Sequence, residues 1–296
     1  MVLLPRRESN VCPFERMKKI LVLGDLSKKM IYDTIFGLKP WLDKHVVAEI
    51  LDVSKGKKIE KMGAEIAVVF GGDGAILSTC RGLGRNQIPI IGVHMGRFGF
   101  LAEITEKDVC ASLEKIFTGN YQVRKRMLLL SRVERAGKTI NESMGINEAV
   151  ISRSSLSRLI SIKLNINGED VATYRADGLI ISTPLGSTAH SLSAGGPLLT
   201  PDLNAFIIVP ICPHTLTNRP LVVSADVKIE MEILSQLNGT GFTVDGQVFT
   251  ELEVGDKIQV EKSDTEVQMI DTGTRTFYGV LREKLNWGGL PNYGRN

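Results

Sequence analysis

Residues 70–77 read Phe-Gly-Gly-Asp-Gly-Ala-Ile-Leu, an apolar run that ends in two glycines, an aspartate and a third glycine before a helical pattern starts. In an open α/β sheet, ligands gather where strands turn into helices. Glycines at such a bend let the backbone approach a phosphate closely, and free N–H groups at the helix start hold its oxygens. Gly71, Gly72 and Gly74 supply that backbone, and Asp73 adds a carboxylate able to accept a hydroxyl proton. A plain tight turn with Asp73 as helix N-cap fits the same tetrapeptide. The bend is not a P-loop, because no Gly-Lys-Ser/Thr follows, and it lacks the Gly-x-Gly-x-x-Gly dinucleotide fingerprint.

Two further segments carry functional groups. Asn147-Glu148 sets an amide beside a carboxylate, which offers donors and acceptors to an adenine edge or a ribose diol. An exposed loop pair is the plainer account of that dipeptide alone. The longer signal runs from Arg175-Ala176-Asp177-Gly178 through Ser182-Thr183-Pro184-Leu185-Gly186-Ser187-Thr188-Ala189-His190-Ser191-Leu192-Ser193 to Gly195-Gly196-Pro197. Small, hydroxylated and glycine residues dominate it. Loops of this length in compact domains are usually functional. Val244-Asp245-Gly246-Gln247 reads as a hairpin turn. His45, His94, His190 and His214 show no paired metal spacing, so no built-in metal site is expected, and Gly186-Ser187-Thr188 lacks the nucleophile elbow of a Ser-His-Asp hydrolase. Arg153, Arg158, Lys163 and Arg175 could neutralise phosphate, although scattered cations are more often solvated surface.

The elements that must position these groups fall into two parts. Residues 17–120 alternate apolar runs (Ile20–Gly24, Val46–Val53, Ile66–Phe70, Ile88–Val93) with helical stretches, the pattern of a parallel sheet with crossover helices. Thr105 and Gly119 punctuate the helix after the fourth run. Residues 121–271 read as short strands: Met127–Glu134, Glu142–Ser152, Leu159–Ile166, Gly178–Ser182, Phe206–Val209, Val227–Ile233 and Lys257–Val260. Turn signals such as Ala136-Gly137 and Asn167-Gly168 separate them. The expected fold is an α/β N-terminal domain plus an all-β, sandwich-like C-terminal domain, with a ligand cleft between them. Residues 272–296 form a tail with a helical stretch at Thr276–Trp287 that packs back on the first domain. Residues 1–16 form a loose extension.

Composition narrows the class. Of 296 residues, 43% are hydrophobic and 23% charged, with a formal net charge of +3. Unclustered charge of this size argues against nucleic acid as a partner. Cys12, Cys80, Cys110 and Cys212 form no CxxC pair, which suits a reduced protein. No apolar run approaches the roughly 20 residues of a membrane span, so no membrane partner is expected and the cytoplasm is the expected compartment.

Taken together, the segments resemble the NAD kinase family over about Lys18 to Trp287. The likeness rests on Gly-Gly-Asp-Gly at 71–74, Gly-Arg-Phe-Gly-Phe-Leu at 96–101, Asn-Glu at 147–148, the run 177–197 and Asp-Gly-Gln at 245–247. The first of these is shared with lipid kinases and phosphofructokinases; the long run is much more specific. The resemblance implies transfer of a phosphoryl group from ATP, or polyphosphate in some members, to the adenosine-ribose 2′-hydroxyl of NAD, with a divalent ion, expected to be Mg²⁺, carried on the nucleotide. Asp73 would be the base and Gly74 would approach the dinucleotide. Asn147, Glu148, Arg158, Arg175, Asp177, Thr188, Ala189, His190, Ser191, Leu192, Ser193 and Gln247 would bind NAD. It also implies a homodimer or homotetramer with sites near subunit contacts. Ala75 stands where the family usually has Thr, His190 where it usually has Tyr, and His94-Met95 replaces Asn-Leu or Asn-Thr. Another Gly-Gly-Asp-Gly kinase, acting on a lipid, and a non-catalytic dinucleotide-binding protein are the alternatives.

Overall fold

Four short apolar strands form the frame of the first part. They are β1 (Lys19–Gly24), β2 (Val47–Asp52), β3 (Ile66–Gly71) and β4 (Ile90–His94), parallel in the order β2-β1-β3-β4. The computed structural model describes residues 19–54, 59–60, 62–96, 99–153, 159–215, 217–235 and 239–288. The expected extension at 1–16, Arg158, the Arg97-Phe98 pair and residues 289–296 lie outside them.

Side chains alternate across a strand, so each strand feeds two cores. Ile20, Val22, Ile66, Val68 and Phe70 pack with α1 (Lys29–His45) and α3 (Val109–Phe117) on one face. Leu21, Leu23, Ala67 and Val69 pack with α2 (Asp73–Leu83) on the other. A two-residue strand, β5 (Ile104–Thr105), pairs with β4 and leads through a 3₁₀ turn into α3. The Thr105 hydroxyl donates to Asp108 Oδ2 at 2.5 Å and makes no cap bond to the helix backbone.

The second part is strand-rich: β6 (Gln122–Arg135), β7 (Lys138–Gly145), β8 (Glu148–Ser152), β9 (Ile160–Ile166), β10 (Glu169–Ala176), β11 (Gly178–Ser182), β12 (Ala205–Ile211), β13 (Leu221–Ser224), β14 (Ile229–Ser235), β15 (Gly241–Val244), β16 (Val248–Glu251) and β17 (Lys257–Asp271). Between β11 and β12 lie a 3₁₀ turn at Leu185–Thr188 and one helical turn, α4 (His190–Ser193); α5 (Phe277–Leu285) follows β17. Six strands form one antiparallel sheet, β13-β12-β11-β8-β15-β16. It faces β6, β9, β10, β14 and β17 across a core that includes Leu129, Ile151, Ile162, Leu179, Phe206, Met231, Phe242 and Val260. The chain is therefore an α/β unit joined to a β-sandwich.

Several expectations change in detail: β10, β13, β15 and β16 lie beyond the expected strands, and β6 starts at Gln122 and not Met127. Glu142–Ser152 is not one strand. It breaks at Ile146-Asn147, with β7 in the first sheet and β8 in the second. The strand expected at Lys257–Val260 continues to Asp271, because its far end is also buried. β17 pairs with β14 near its start, with β6 along its length and with β4 at Met269, so one 11-stranded sheet runs through both parts. After it, Arg275 Nη1 donates to the Ala102 carbonyl and the Thr272 hydroxyl to Glu103, tying the tail to the loop after β4.

Candidate functional site

The bend between β3 and α2 is shaped by its glycines. Gly71 has φ +156 and Gly72 is the extended N-cap, so Asp73 is the first helical residue and not the cap. Its carboxylate turns away from its own helix toward the loop after β4. There Oδ2 accepts from the Phe100 amide at 2.8 Å and Oδ1 from the Leu101 amide at 3.1 Å. Gly99 has to be glycine for this contact, since a β-carbon there would fall inside the Asp73 carboxylate. Each oxygen accepts one amide bond and keeps a lone pair for a substrate hydroxyl. The Ala75 amide already donates to the Gly72 carbonyl at 3.0 Å, and the Asp73 and Gly74 amides that precede it in the first turn can face a phosphate.

Asn147 and Glu148 are buried, contrary to an exposed loop pair. They occupy the break between β7 and β8, and the cause of the break is Asp245. This residue sits in the three-residue loop of the β15–β16 hairpin with φ +51, followed by Gly246 at +63, and the Gln247 amide closes the turn on the Val244 carbonyl at 3.0 Å. Its carboxylate folds inward and accepts from the amides of Ile146 (3.1 Å), Asn147 (2.8 Å) and Glu148 (3.3 Å). Arg81 of α2 completes the set, with Nη1 2.9 Å from Asp245 Oδ2. Arg81 also donates to Gln247 Oε1, and Gln247 Nε2 donates to the Gly74 carbonyl at 3.1 Å. Gln247 thus uses both ends of its amide on protein partners.

The small-residue run closes over the same place. Thr183 donates through its amide to the Asn147 carbonyl at 2.8 Å and through its hydroxyl to the Ile146 carbonyl at 2.5 Å. Gly186 lies against the Asn147 carbonyl with no room for a β-carbon. Ser187 Oγ donates to the Pro184 carbonyl and accepts from the Leu199 amide, which holds the loop shut. Thr188, Ala189 and Leu192 are half-buried, His190 and Ser193 exposed, and Ser191 is buried.

Electrostatically the site centres on Glu148. Burial, reinforced by the nearby Asp245 carboxylate, pushes its pKa up to about 8, while the backbone amide of His190 pulls the other way. Its Oε2 atom is buried without a hydrogen-bond partner among the described residues. A buried polar atom left this way is costly and is satisfied by a ligand partner.

Arg175 and Asp177 lie elsewhere. In the β8–β11 ladder Ser182 stands opposite Glu148 and Gly178 opposite Ser152, so Gly178 is about 13 Å along the strand from Ser182 at roughly 3.3 Å per residue, and Asp177 and Arg175 precede it at that far end. Asp177 pairs there with Arg153 at 2.7 Å, and exposed Arg175 accepts the His214 amide on its carbonyl. A cavity of about 420 Å³ lies beyond Phe100 and Leu101. Its arginines already face acids, Arg126 with Asp202, Arg124 with Asp271, and Arg275 with Glu283. Among the described residues no group of three or more His, Cys, Asp or Glu side chains converges to hold a metal.

The sequence does not mark Arg81, Phe100 and Leu101 as site-builders and shows Asp245 only as a turn residue. Phe100 and Leu101 act through backbone amides, the Asp245 carboxylate acts on residues nearly 100 positions away, and Arg81 is one cation among 36 Lys and Arg. Residues 27–121 match the ATP-NAD kinase N-terminal domain family and residues 146–272 the ATP-NAD kinase C-terminal domain family. The chain is 44% identical over 282 residues to an NAD kinase of Geobacter sulfurreducens and 37% identical over 281 residues to one of Geobacter metallireducens, each match covering 92% of this chain and 99% of the relative. Among solved structures it is similar to an NAD kinase from Archaeoglobus fulgidus in complex with ATP, with TM-score 0.70 and 25% identity over 91% of this chain and 97% of that one. A yeast NADH kinase complexed with NADH shares the fold, with TM-score 0.83 at 21% identity over 94% of this chain and 90% of that one.

Proposed function

This chain belongs to the NAD kinase family, and on that premise we infer that Asp73 accepts the proton of the adenosine-ribose 2′-hydroxyl of NAD while that oxygen takes the terminal phosphoryl group of ATP, whose bond to the β,γ-bridging oxygen breaks, giving NADP and ADP. One observation carries the reading. The carboxylate at the start of α2 and the buried Asn147-Glu148 pair are joined by an unbroken set of contacts through Gly74, Gln247, Arg81 and Asp245.

Phosphoryl transfer asks a protein for positioning and charge neutralisation more than for covalent chemistry. The Phe100 and Leu101 amides hold the Asp73 carboxylate in one orientation, and a carboxylate within hydrogen-bond reach of one hydroxyl selects that hydroxyl. Gly71, Gly72 and Gly74 keep the bend free of side chains, so phosphate oxygens can approach the first-turn amides. With a pKa near 8, Glu148 is mostly a neutral acid at pH 7. It therefore donates a hydrogen bond to a nucleoside acceptor and puts no negative charge beside an anionic dinucleotide. Asn147 and the 188–193 loop complete the substrate wall. A divalent cation, Mg²⁺ in our reading, neutralises donor phosphate charge when bound. The described residues fit an ion held by phosphate oxygens better than one held by a protein cage.

Arg175 and Asp177 are too far along the sheet to join the same pocket within one chain. We read them as reaching the site of a second copy, in a homodimer or homotetramer. Among the described residues no helix is long and apolar enough to cross a membrane, and the cytoplasm is the compartment we assign. The test is an endpoint assay for NADP with NAD or NADH against ATP or polyphosphate, with diacylglycerol as a competing acceptor. NADP from NAD and ATP is the expected product; phosphorylation of the lipid alone would overturn the reading.

A further inference from the structure

Arg81 and Asp245 touch no reacting atom, yet they meet at 2.9 Å between the two halves of the site. We propose that this pair is a positioning device for the phosphoryl transfer just described, holding the helix that carries Asp73 in register with the segment that carries Asn147 and Glu148. The inference rests on that reading of the site.

The geometry makes the pair a junction. On one side, the Asp245 carboxylate gathers three consecutive amides, Ile146, Asn147 and Glu148. Successive N–H groups converging on one anion define the backbone path, and so aim the two side chains that follow from it. The Asp245 amide in turn donates to the Glu148 carbonyl at 2.9 Å, so the hairpin and the segment grip each other in both directions. On the other side, Arg81 lies eight residues after Asp73, a little over two turns down α2 at about 3.6 residues per turn. Its second arm reaches Gln247, whose amide nitrogen returns to the carbonyl of Gly74, the residue after Asp73. The circuit Asp245–Arg81–Gln247–Gly74 therefore pins α2 at two heights to a hairpin that also anchors Asn147 and Glu148.

The pair is well shielded, with side-chain exposure of 15% for Arg81 and 0% for Asp245. A planar guanidinium is suited to this place because it addresses two acceptors at once; a lysine ammonium on a flexible stem does not hold both in a fixed fork. Misplacement of a reacting group by about 1 Å can cost on the order of 100-fold in rate. A junction that sets two halves of a site against each other should thus show its loss in turnover of NAD and spare the donor.

The test uses the full chain with Arg81→Met, Asp245→Asn and the double variant, assayed for NADP formation beside the wild type. Each single variant is expected to lose at least ~30-fold in kcat/KM for NAD while KM for ATP stays within about 3-fold. The double variant is expected to be no worse than the poorer single one, because either change breaks the same junction. Arg81→Lys, which keeps the charge but not the fork, should recover only part of the loss. Folded single variants with wild-type kinetics overturn the proposal, and so does a double-variant loss equal to the product of the single losses. A single variant that leaves one buried charge unpaired can fail to fold. In that case the double variant, which leaves neither charge unpaired, decides, and wild-type turnover in it overturns the proposal. A wild-type chain that makes no NADP removes the underlying reading, whereas an active wild type with indifferent variants removes this inference alone.

Discussion

Gly99 lies so close to Asp73 that the aspartate carboxylate occupies the space a β-carbon at position 99 would need. Asp73 reaches the neighbouring Phe100 and Leu101 amides only because that space is empty. Gly99→Ala is expected to displace the carboxylate and lower kcat by ~10- to 100-fold, since the reacting group is misplaced and not removed. KM for NAD should change less than kcat. Steady-state kinetics on the purified variant checks this.

Glu148 ties stability to pH. Its pKa is raised from an ordinary 4.5 to about 8, so between those values the folded chain holds a proton that the unfolded chain has released. Stability from this group is present below pH 4.5 and is lost as pH rises through about 8. Glu148→Gln, which cannot ionise, is expected to match the wild type in Tm at pH 5 and to exceed it by at least about 2 °C at pH 9. Thermal denaturation across that range reads the difference directly.

The far-end placement of Arg175 and Asp177 leads to a complementation experiment. Asp73→Asn and the Arg175→Ala/Asp177→Ala double variant should each be inactive alone. Mixed and reassembled, they should regain activity, because one shared site then combines an intact Asp73 with an intact Arg175 and Asp177 from the other copy. No recovery in verified mixed oligomers would place Arg175 and Asp177 outside the working site.

The sequence made the two-part fold readable wherever a pattern was local. Runs such as Ile66–Phe70 are wholly buried and bounded by glycine, and they became strands within a residue or two. What could not be read was pairing at long range. β13 is largely exposed and β10 buries only Tyr174 and Ala176, so both are strands chiefly because β12 and β9 lie beside them. The length of β17 depends on partners in both parts of the chain. At the site, Asp73 was visible through its glycines, whereas its holders Phe100 and Leu101 act through backbone amides that no side-chain pattern reveals. Asp245 looked like half of a turn because its turn role is local and its contact with residues 146–148 spans nearly 100 residues.

The most direct test concerns Asp73 itself. Asp73→Asn keeps the shape and an acceptor oxygen but removes the base, a change worth about 10²- to 10⁴-fold where a general base assists. NADP formation from NAD and ATP should fall by at least ~100-fold, while the Kd for NAD by calorimetry stays within about 3-fold of the wild type. Turnover at the wild-type rate in a folded, NAD-binding Asp73→Asn chain would contradict the account.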